Sequence, residues 1–294
     1  MKKKYTALII LFVIIQILPW AALVGGVAVV NHIAKTGDLV GAYYEFSDSI
    51  MDAISNPPNF EYTKNAHGDY IITGIVKKDF DRKSGRVVEL IYISFRVPSK
   101  YKDKPVVSVG GLGNQEKLEA VSLPNSIVNI NTAAFVECKS LKEINFPRSL
   151  IGIGENAFRN CGLTEVNLSG SISTIGGCAF AYCSNLEKVS IKGEKVSINY
   201  EAFRGCKALK EVVLGEGVES IGEGAFKGCS KLRTVTISND VKYIFDDVFA
   251  GCIYLDRIDY LGTAEEWHSI SKSNNWATNV SVTVYCSDGT VIEY

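Results

Sequence analysis

Apolar residues recur along the chain at a fixed interval of 22 or 23 residues. Each repeat carries an isoleucine five residues before a phenylalanine, and a Leu-x-x-Val-x-Leu-like core begins five or six residues after that phenylalanine. The phenylalanines are Phe135, Phe158, Phe180, Phe203, Phe226 and Phe249. A seventh copy of the core, Leu118/Val121/Leu123, precedes them. A repeat of this length is typical of stacked coils that bury a continuous core between neighbours, so the sequence predicts a solenoid of about seven coils.

The apolar pattern predicts two short extended segments in each coil. The last two core positions, such as Val166 and Leu168, alternate with a period of two, which indicates a strand with one buried face. The second segment ends at the isoleucine, and the next residue is Asn131, Gly154, Gly176, Asn199, Gly222 or the exception, Phe245. Gly and Asn accept positive φ most readily, so we expect a left-handed turn there.

One residue of each predicted strand points out of the solenoid and forms a candidate binding face. These residues are Ser122, Asn145, Asn167, Ser190, Val213, Thr236 and Asp259. Most are small and polar, and their hydroxyl and amide groups could hydrogen-bond a protein or a glycan. Charges of both signs flank them, at Lys142, Glu187, Lys210 and Arg233. The alternative is that any solvated strand position tolerates such residues.

The N-terminus carries a long apolar segment. Residues 7–30 are 24 positions that hold only apolar residues, Gly, Pro19 and Gln16. As a helix they would reach roughly 36 Å and span a bilayer. Lys2, Lys3 and Lys4 precede them, so the positive-inside rule places the N-terminus in the cytoplasm and the solenoid outside the cell. The alternative is a signal peptide cleaved after Ala28, which would release a secreted protein.

Charge and cysteine positions narrow the possible partners. Lys plus Arg number 31 against 32 for Asp plus Glu, so the chain has no excess positive charge to attract nucleic acid.

Six of the eight cysteines follow a repeat phenylalanine by three residues: Cys138, Cys161, Cys183, Cys206, Cys229 and Cys252. A series spread along an axis does not converge on a metal, so we expect no metal site. Buried thiols are favoured over disulfides between coils, and Cys178 and Cys286 stand outside the series.

The repeat resembles a known family. The stretch from Ile221 through Ala225-Phe226 and Cys229 to Leu232 is similar to the BspA-like leucine-rich repeats of bacterial surface proteins and some protozoan parasites. Segments before and after the repeats also resemble the family's opening β-hairpin and closing segment, so that about residues 60–294 are covered. The resemblance implies a mainly β leucine-rich-repeat solenoid on the cell surface, a class often associated with adhesion.

These observations predict five regions. Residues 1–30 form the membrane-spanning helix or signal peptide, 31–59 a stalk, 60–104 an N-terminal cap, 105–270 the leucine-rich repeats and 271–294 a C-terminal cap.

Two motifs resemble chemical sites. Gly152-x-Gly154-x-x-Ala157 matches a dinucleotide-binding fingerprint, but the coil turn already explains its glycines, so we expect no cofactor. His268 stands beside Glu265 and Glu266, although a helix that packs Trp267 on the end of the solenoid explains the segment more simply.

The sequence therefore predicts a membrane-anchored binding protein for an extracellular protein or glycan, without catalysis. The alternatives are an architectural spacer of the envelope and an enzyme that uses the segment around His268.

Overall fold

The computed structural model describes residues 60–75, 78–81, 86–89 and 94–294. The expected membrane segment at 7–30 and stalk at 31–59 lie outside these residues. Across the described ranges, no helix combines the length and apolar character that crossing a bilayer requires.

Short strands dominate the described residues. The opening region contains β1 (Phe60–Lys64), β2 (Tyr70–Ile75), β3 (Lys78–Asp81), β4 (Arg86–Glu89), β5 (Ser94–Arg96), β6 (Lys100–Tyr101) and β7 (Lys104–Val109). The repeats contain β8 (Ala120–Ser122), β9 (Asn129–Ile130), β10 (Glu143–Ile144), β11 (Gly152–Ile153), β12 (Glu165–Leu168), β13 (Thr174–Ile175), β14 (Lys188–Ile191), β15 (Val196–Ile198), β16 (Glu211–Leu214), β17 (Val218–Ile221), β18 (Thr234–Ile237), β19 (Tyr243–Ile244) and β20 (Arg257–Tyr260). The closing region contains helix α1 (Ala264–Ser269), β21 (Ser271–Lys272), β22 (Thr283–Cys286) and β23 (Val291–Glu293).

The strands form two parallel ladders, as the two extended segments per repeat predicted. The first ladder contains the seven predicted strands, preceded by β5 and followed by β22, and it is split into sheets β5–β8–β10 and β12 to β22. The second ladder joins β7, β9, β11, β13, β15, β17, β19 and β21 in parallel. The described residues therefore form about eight turns rather than seven. The ladders begin before residue 105, at β5, and continue beyond residue 270, to β22.

Antiparallel elements and a short helix close the two ends. At the start, β1 and β2 form an antiparallel hairpin, and β2 then pairs in parallel with β7. At the end, α1 buries Trp267 completely, and β23 pairs antiparallel with β22. The expected hairpin and the expected packing of Trp267 are both present.

A column of stacked phenylalanine rings fills the core. All six repeat phenylalanines are fully buried. Neighbouring ring centroids lie 5.1 to 5.8 Å apart, with interplanar angles of 3° to 13°. The period of the sequence predicted this column, because identical coils place identical residues above one another.

The cysteine series lies beside the phenylalanine column. Five thiols donate hydrogen bonds to the carbonyl oxygen of the phenylalanine one coil earlier, at Sγ to oxygen distances of 3.0 to 3.2 Å. The first thiol, that of Cys138, donates to the Leu112 carbonyl. Burial raises the pKa of the Cys206 thiol. The interpretation of the series as buried packing residues is confirmed.

The predicted position of the left-handed turn was wrong. None of the residues expected there has a positive φ; the left-handed residues lie two positions later, with φ between 51° and 58°: Ala133, Asn156, Cys178, Glu201, Gly224 and Asp247. Close stacking of the coils explains the glycines instead. A Cβ on Gly154, Gly176 or Gly222 would lie 2.4 to 2.7 Å from backbone atoms of the preceding coil.

Candidate binding surface

The structure brings five of the seven predicted face residues into one row. Asn167, Ser190, Val213, Thr236 and Asp259 lie directly opposite one another on β12, β14, β16, β18 and β20. Their neighbours along each strand are buried, which turns these side chains outward. We call this row the strand face.

Three polar side chains of the strand face have no hydrogen-bond partner among the described residues. Asn167 is exposed, and Ser190 and Thr236 are partly exposed. Their amide and hydroxyl groups are therefore available to a partner molecule.

The other two predicted residues belong to the neighbouring three-stranded sheet. Ser122 lies on β8 opposite Arg96, and Asn145 follows β10. The Asn145 amide nitrogen donates to the Leu123 carbonyl and its amide oxygen accepts from the Leu123 N–H, both at 2.7 Å. The side chain thus continues the ladder where the main chain stops, and it is already occupied.

Two ion pairs of opposite orientation border the strand face, so that one coil contributes the acid of one pair and the base of the other. Lys210 pairs with Glu187 at 2.8 Å, and Lys188 pairs with Glu211 at 3.2 Å. The hydrogen bond from Lys210 lowers the pKa of the Glu187 carboxyl. At the far end, Arg257 binds Asp259 at 2.7 Å. The surface therefore presents both signs of charge without a dominant field.

Glu266 and His268 of α1 make contacts within the helix and its cap. The Glu266 carboxylate accepts from the Thr263 N–H at 2.7 Å and completes a capping box. The Nδ1 atom of His268 lies 2.6 Å from the Ala264 carbonyl oxygen. Trp267 donates from its indole N–H to the Tyr294 hydroxyl at 2.8 Å. In the part of the chain that the structure describes, no group of three His, Cys, Asp or Glu is placed to hold a metal.

An exposed aromatic group on the second ladder escaped the sequence analysis. Tyr200, Tyr243 and Phe245 are each about half exposed and line one open depression. A signal was present, because Phe245 is the exception in a series that otherwise contains only Gly and Asn.

Comparison with known proteins identifies the family. The model of the BspA type leucine rich repeat region matches six copies, over residues 112–197 and 188–293, which is more than half of the chain. The chain belongs to the BspA-type leucine-rich-repeat family. Solenoids of this kind are typical of binding proteins. No curated protein matches the chain.

Several solved structures resemble this BspA-type chain. The T. pallidum leucine rich repeat protein TpLRR is 28% identical with a TM-score of 0.54, covering 67% of this chain and 87% of that one. A leucine rich cell surface protein from Faecalibacterium prausnitzii is 15% identical with a TM-score of 0.28, covering 74% and 97%. The pneumococcal vaccine antigen PcpA is 16% identical with a TM-score of 0.30, covering 76% and 88%. TpLRR supports the solenoid fold of this chain.

Proposed function

We propose that the protein is a binding module displayed on the outer surface of the cell, and that its strand face binds an extracellular protein. The observation that carries this proposal is the row of outward side chains in register on five strands, three of them polar groups without a partner among the described residues.

Dimensions and charge favour a protein as the partner of the strand face. Five parallel strands at a spacing of about 4.8 Å give a row roughly 19 Å long, which suits a protein surface of ordinary interface size. Two bordering ion pairs, Glu187 with Lys210 and Lys188 with Glu211, place both signs of charge beside this row, and such a pattern selects a partner of complementary pattern rather than a polymer of one charge.

Binding fits the described residues better than catalysis. Glu266 and His268 are engaged in capping and backbone contacts of α1. Catalysis by this segment would need a base or nucleophile free to approach a substrate. The proposal therefore assigns the protein no reaction.

Residues 7–30 supply the proposed attachment to the membrane. Their length and the three preceding lysines favour a retained helix with a cytoplasmic N-terminus. Sequencing the N-terminus of the mature protein tests this point. Retention predicts the original N-terminus, whereas a protein that begins at Val29 would show that the segment is a cleaved signal peptide.

Arginine substitutions test the strand face. The variant Asn167→Arg/Ser190→Arg/Thr236→Arg places three bulky charges on the row while leaving the buried positions intact. We expect it to weaken binding of a partner captured on intact cells and then purified, by about tenfold or more.

The matched control carries the same three charges on the other ladder. Asn129, Ser171 and Thr174 are exposed small polar residues at or near β9 and β13. Their triple arginine variant should bind the partner like the unmodified protein. Equal binding by a folded strand-face variant would contradict the proposal, and the absence of any partner would favour the architectural spacer.

A further inference from the structure

The second ladder carries a depression of about 430 Å³ whose walls are aromatic. Tyr243 and Phe245 stand on one side and Tyr200 on the other. Between 48% and 49% of each of these three side chains is exposed to solvent. At the position of Tyr243, the neighbouring coils have Ser197 and Ser220, so the aromatic side chains rise above a floor of small residues.

Tyr200 is held in place by its surroundings, and Tyr243 and Phe245 lie beside each other. The Tyr200 hydroxyl donates to the Glu155 carboxylate at 2.7 Å. A Cβ on Gly177 would lie 2.3 Å from the Tyr200 ring, which shows that this ring lies against the glycine backbone. The rings of Tyr243 and Phe245 have centroids 6.5 Å apart at an angle of 31°. A ligand would therefore meet at least one ring, that of Tyr200, that needs little ordering.

The floor offers hydrogen-bonding groups beside the rings. Ser197, Ser220, Asn199 and Glu223 line the depression, and none of their side chains has a hydrogen-bond partner among the described residues. Hydroxyl and amide groups both donate and accept, and a carboxylate accepts. The depression thus combines apolar ring faces with a set of free polar groups beside them.

Charge decides among the possible occupants. Glu223 is the one charged residue that lines the depression, and it disfavours an anionic ligand. Lys242, the cation beside Tyr243, is paired with Glu219 at 2.8 Å, and Glu155 accepts a hydrogen bond from the Tyr200 hydroxyl but keeps its negative charge, which further disfavours an anion. The remaining surface suits an uncharged molecule rich in hydroxyl donors.

We propose that this depression is a binding subsite for a neutral glycan. The aromatic faces contact the C–H faces of a pyranose ring, while Ser197, Ser220, Asn199 and Glu223 hydrogen-bond its hydroxyl groups. An apolar protein partner fits less well, because the surrounding positions of the ladder are Gly, Ser, Thr and Asn and offer little further apolar area. This site is separate from the strand face and does not depend on the function proposed for it.

Titration of the full chain with defined sugars tests the subsite. The probes are uncharged hexasaccharides of glucose, mannose, galactose and N-acetylglucosamine, with heparin and polylysine as charged comparators. We expect a neutral hexasaccharide to bind with a Kd of about 1 mM or below, measured by calorimetry and by the tyrosine fluorescence of the protein.

Variants connect the binding to the depression. Tyr243→Ala and Phe245→Ala should each weaken it by about tenfold, because a ring face is lost. Glu223→Gln should weaken it by about threefold. The matched control is Tyr254→Ala, which removes an exposed tyrosine outside the depression.

Four results would overturn the proposal. Three of them are the absence of binding to every neutral hexasaccharide, binding that the Tyr243 and Phe245 variants retain while they remain folded, and binding of polylysine that requires Glu223. Glycan binding lost in the strand-face triple variant but kept in the Tyr243 variant would also overturn it, while supporting the strand face.

Discussion

Removing one ring from the middle of the phenylalanine column should destabilise the protein severely. Phe203 is fully buried and stacks on Phe180 at 5.1 Å and on Phe226 at 5.2 Å, nearly parallel to both. Replacement of a buried Phe by Ala typically costs about 3–5 kcal/mol. We expect Phe203→Ala to lie near the upper end, because each neighbouring ring is fixed by its own coil and cannot move into the cavity.

Urea unfolding measures this effect. Phe245→Ala is the matched control, since it removes the same side chain from a position that is 49% exposed. With comparable m values, the Phe203→Ala midpoint should fall well below that of the control, and the control should differ from the unmodified protein by less than about 1 kcal/mol. Equal midpoints for the two variants would refute the column as the source of stability.

Three further predictions concern glycine, asparagine and cysteine positions. Gly154→Ala should lower the free energy of unfolding by about 1–3 kcal/mol, because its Cβ would lie 2.4 Å from the Thr132 nitrogen. Thermal unfolding measures this, and a decrease in Tm as small as that of the exposed Ser171→Ala variant would contradict the prediction. In urea unfolding, Asn145→Ala should lower the free energy of unfolding by about 1 kcal/mol or more, because its two hydrogen bonds to Leu123 are lost. Asn167→Ala should be nearly neutral. The reverse order would show that Asn145 has no structural role. Burial raises the pKa of the Cys206 thiol, so the folded state holds its proton when the unfolded thiol, with a pKa of about 8.5, has lost it. The free energy of unfolding of the reduced protein should therefore fall as pH rises above about 8.5, by up to about 1.4 kcal/mol per pH unit for each such thiol, and Cys206→Ala should reduce the slope. A pH-independent stability would show that the thiols are not buried.

The sequence predicted the core because the apolar residues that recur at the same position of every repeat are the ones that stacked coils bury. A coil that stacks on copies of itself must place Phe203 above Phe180, so the period alone identifies the column. The left-handed turns were misplaced because glycine has two uses. Gly154 permits close approach of two backbones, whereas Gly224 adopts a positive φ, and the one-letter pattern does not distinguish these roles.

For the candidate surface, the alternation of buried and exposed residues along each strand predicted which side chains point outward, but not their contacts. The alternation of Val166, Asn167 and Leu168 shows which side chain points outward. It does not show that Asn145 bonds to Leu123, because that contact depends on where the main-chain ladder stops. The aromatic depression also required the coil register, which brings Tyr200 and Tyr243 to one site although 43 positions separate them in the sequence.

Labelling of intact cells tests the central claim, display of a binding solenoid outside the cell, most directly. An antibody against residues 105–270 and a second against a tag placed before Met1 would be applied before and after permeabilisation. The account predicts that the solenoid is labelled on intact cells, whereas the tag is labelled only after permeabilisation. A solenoid that becomes accessible only after permeabilisation would contradict surface display.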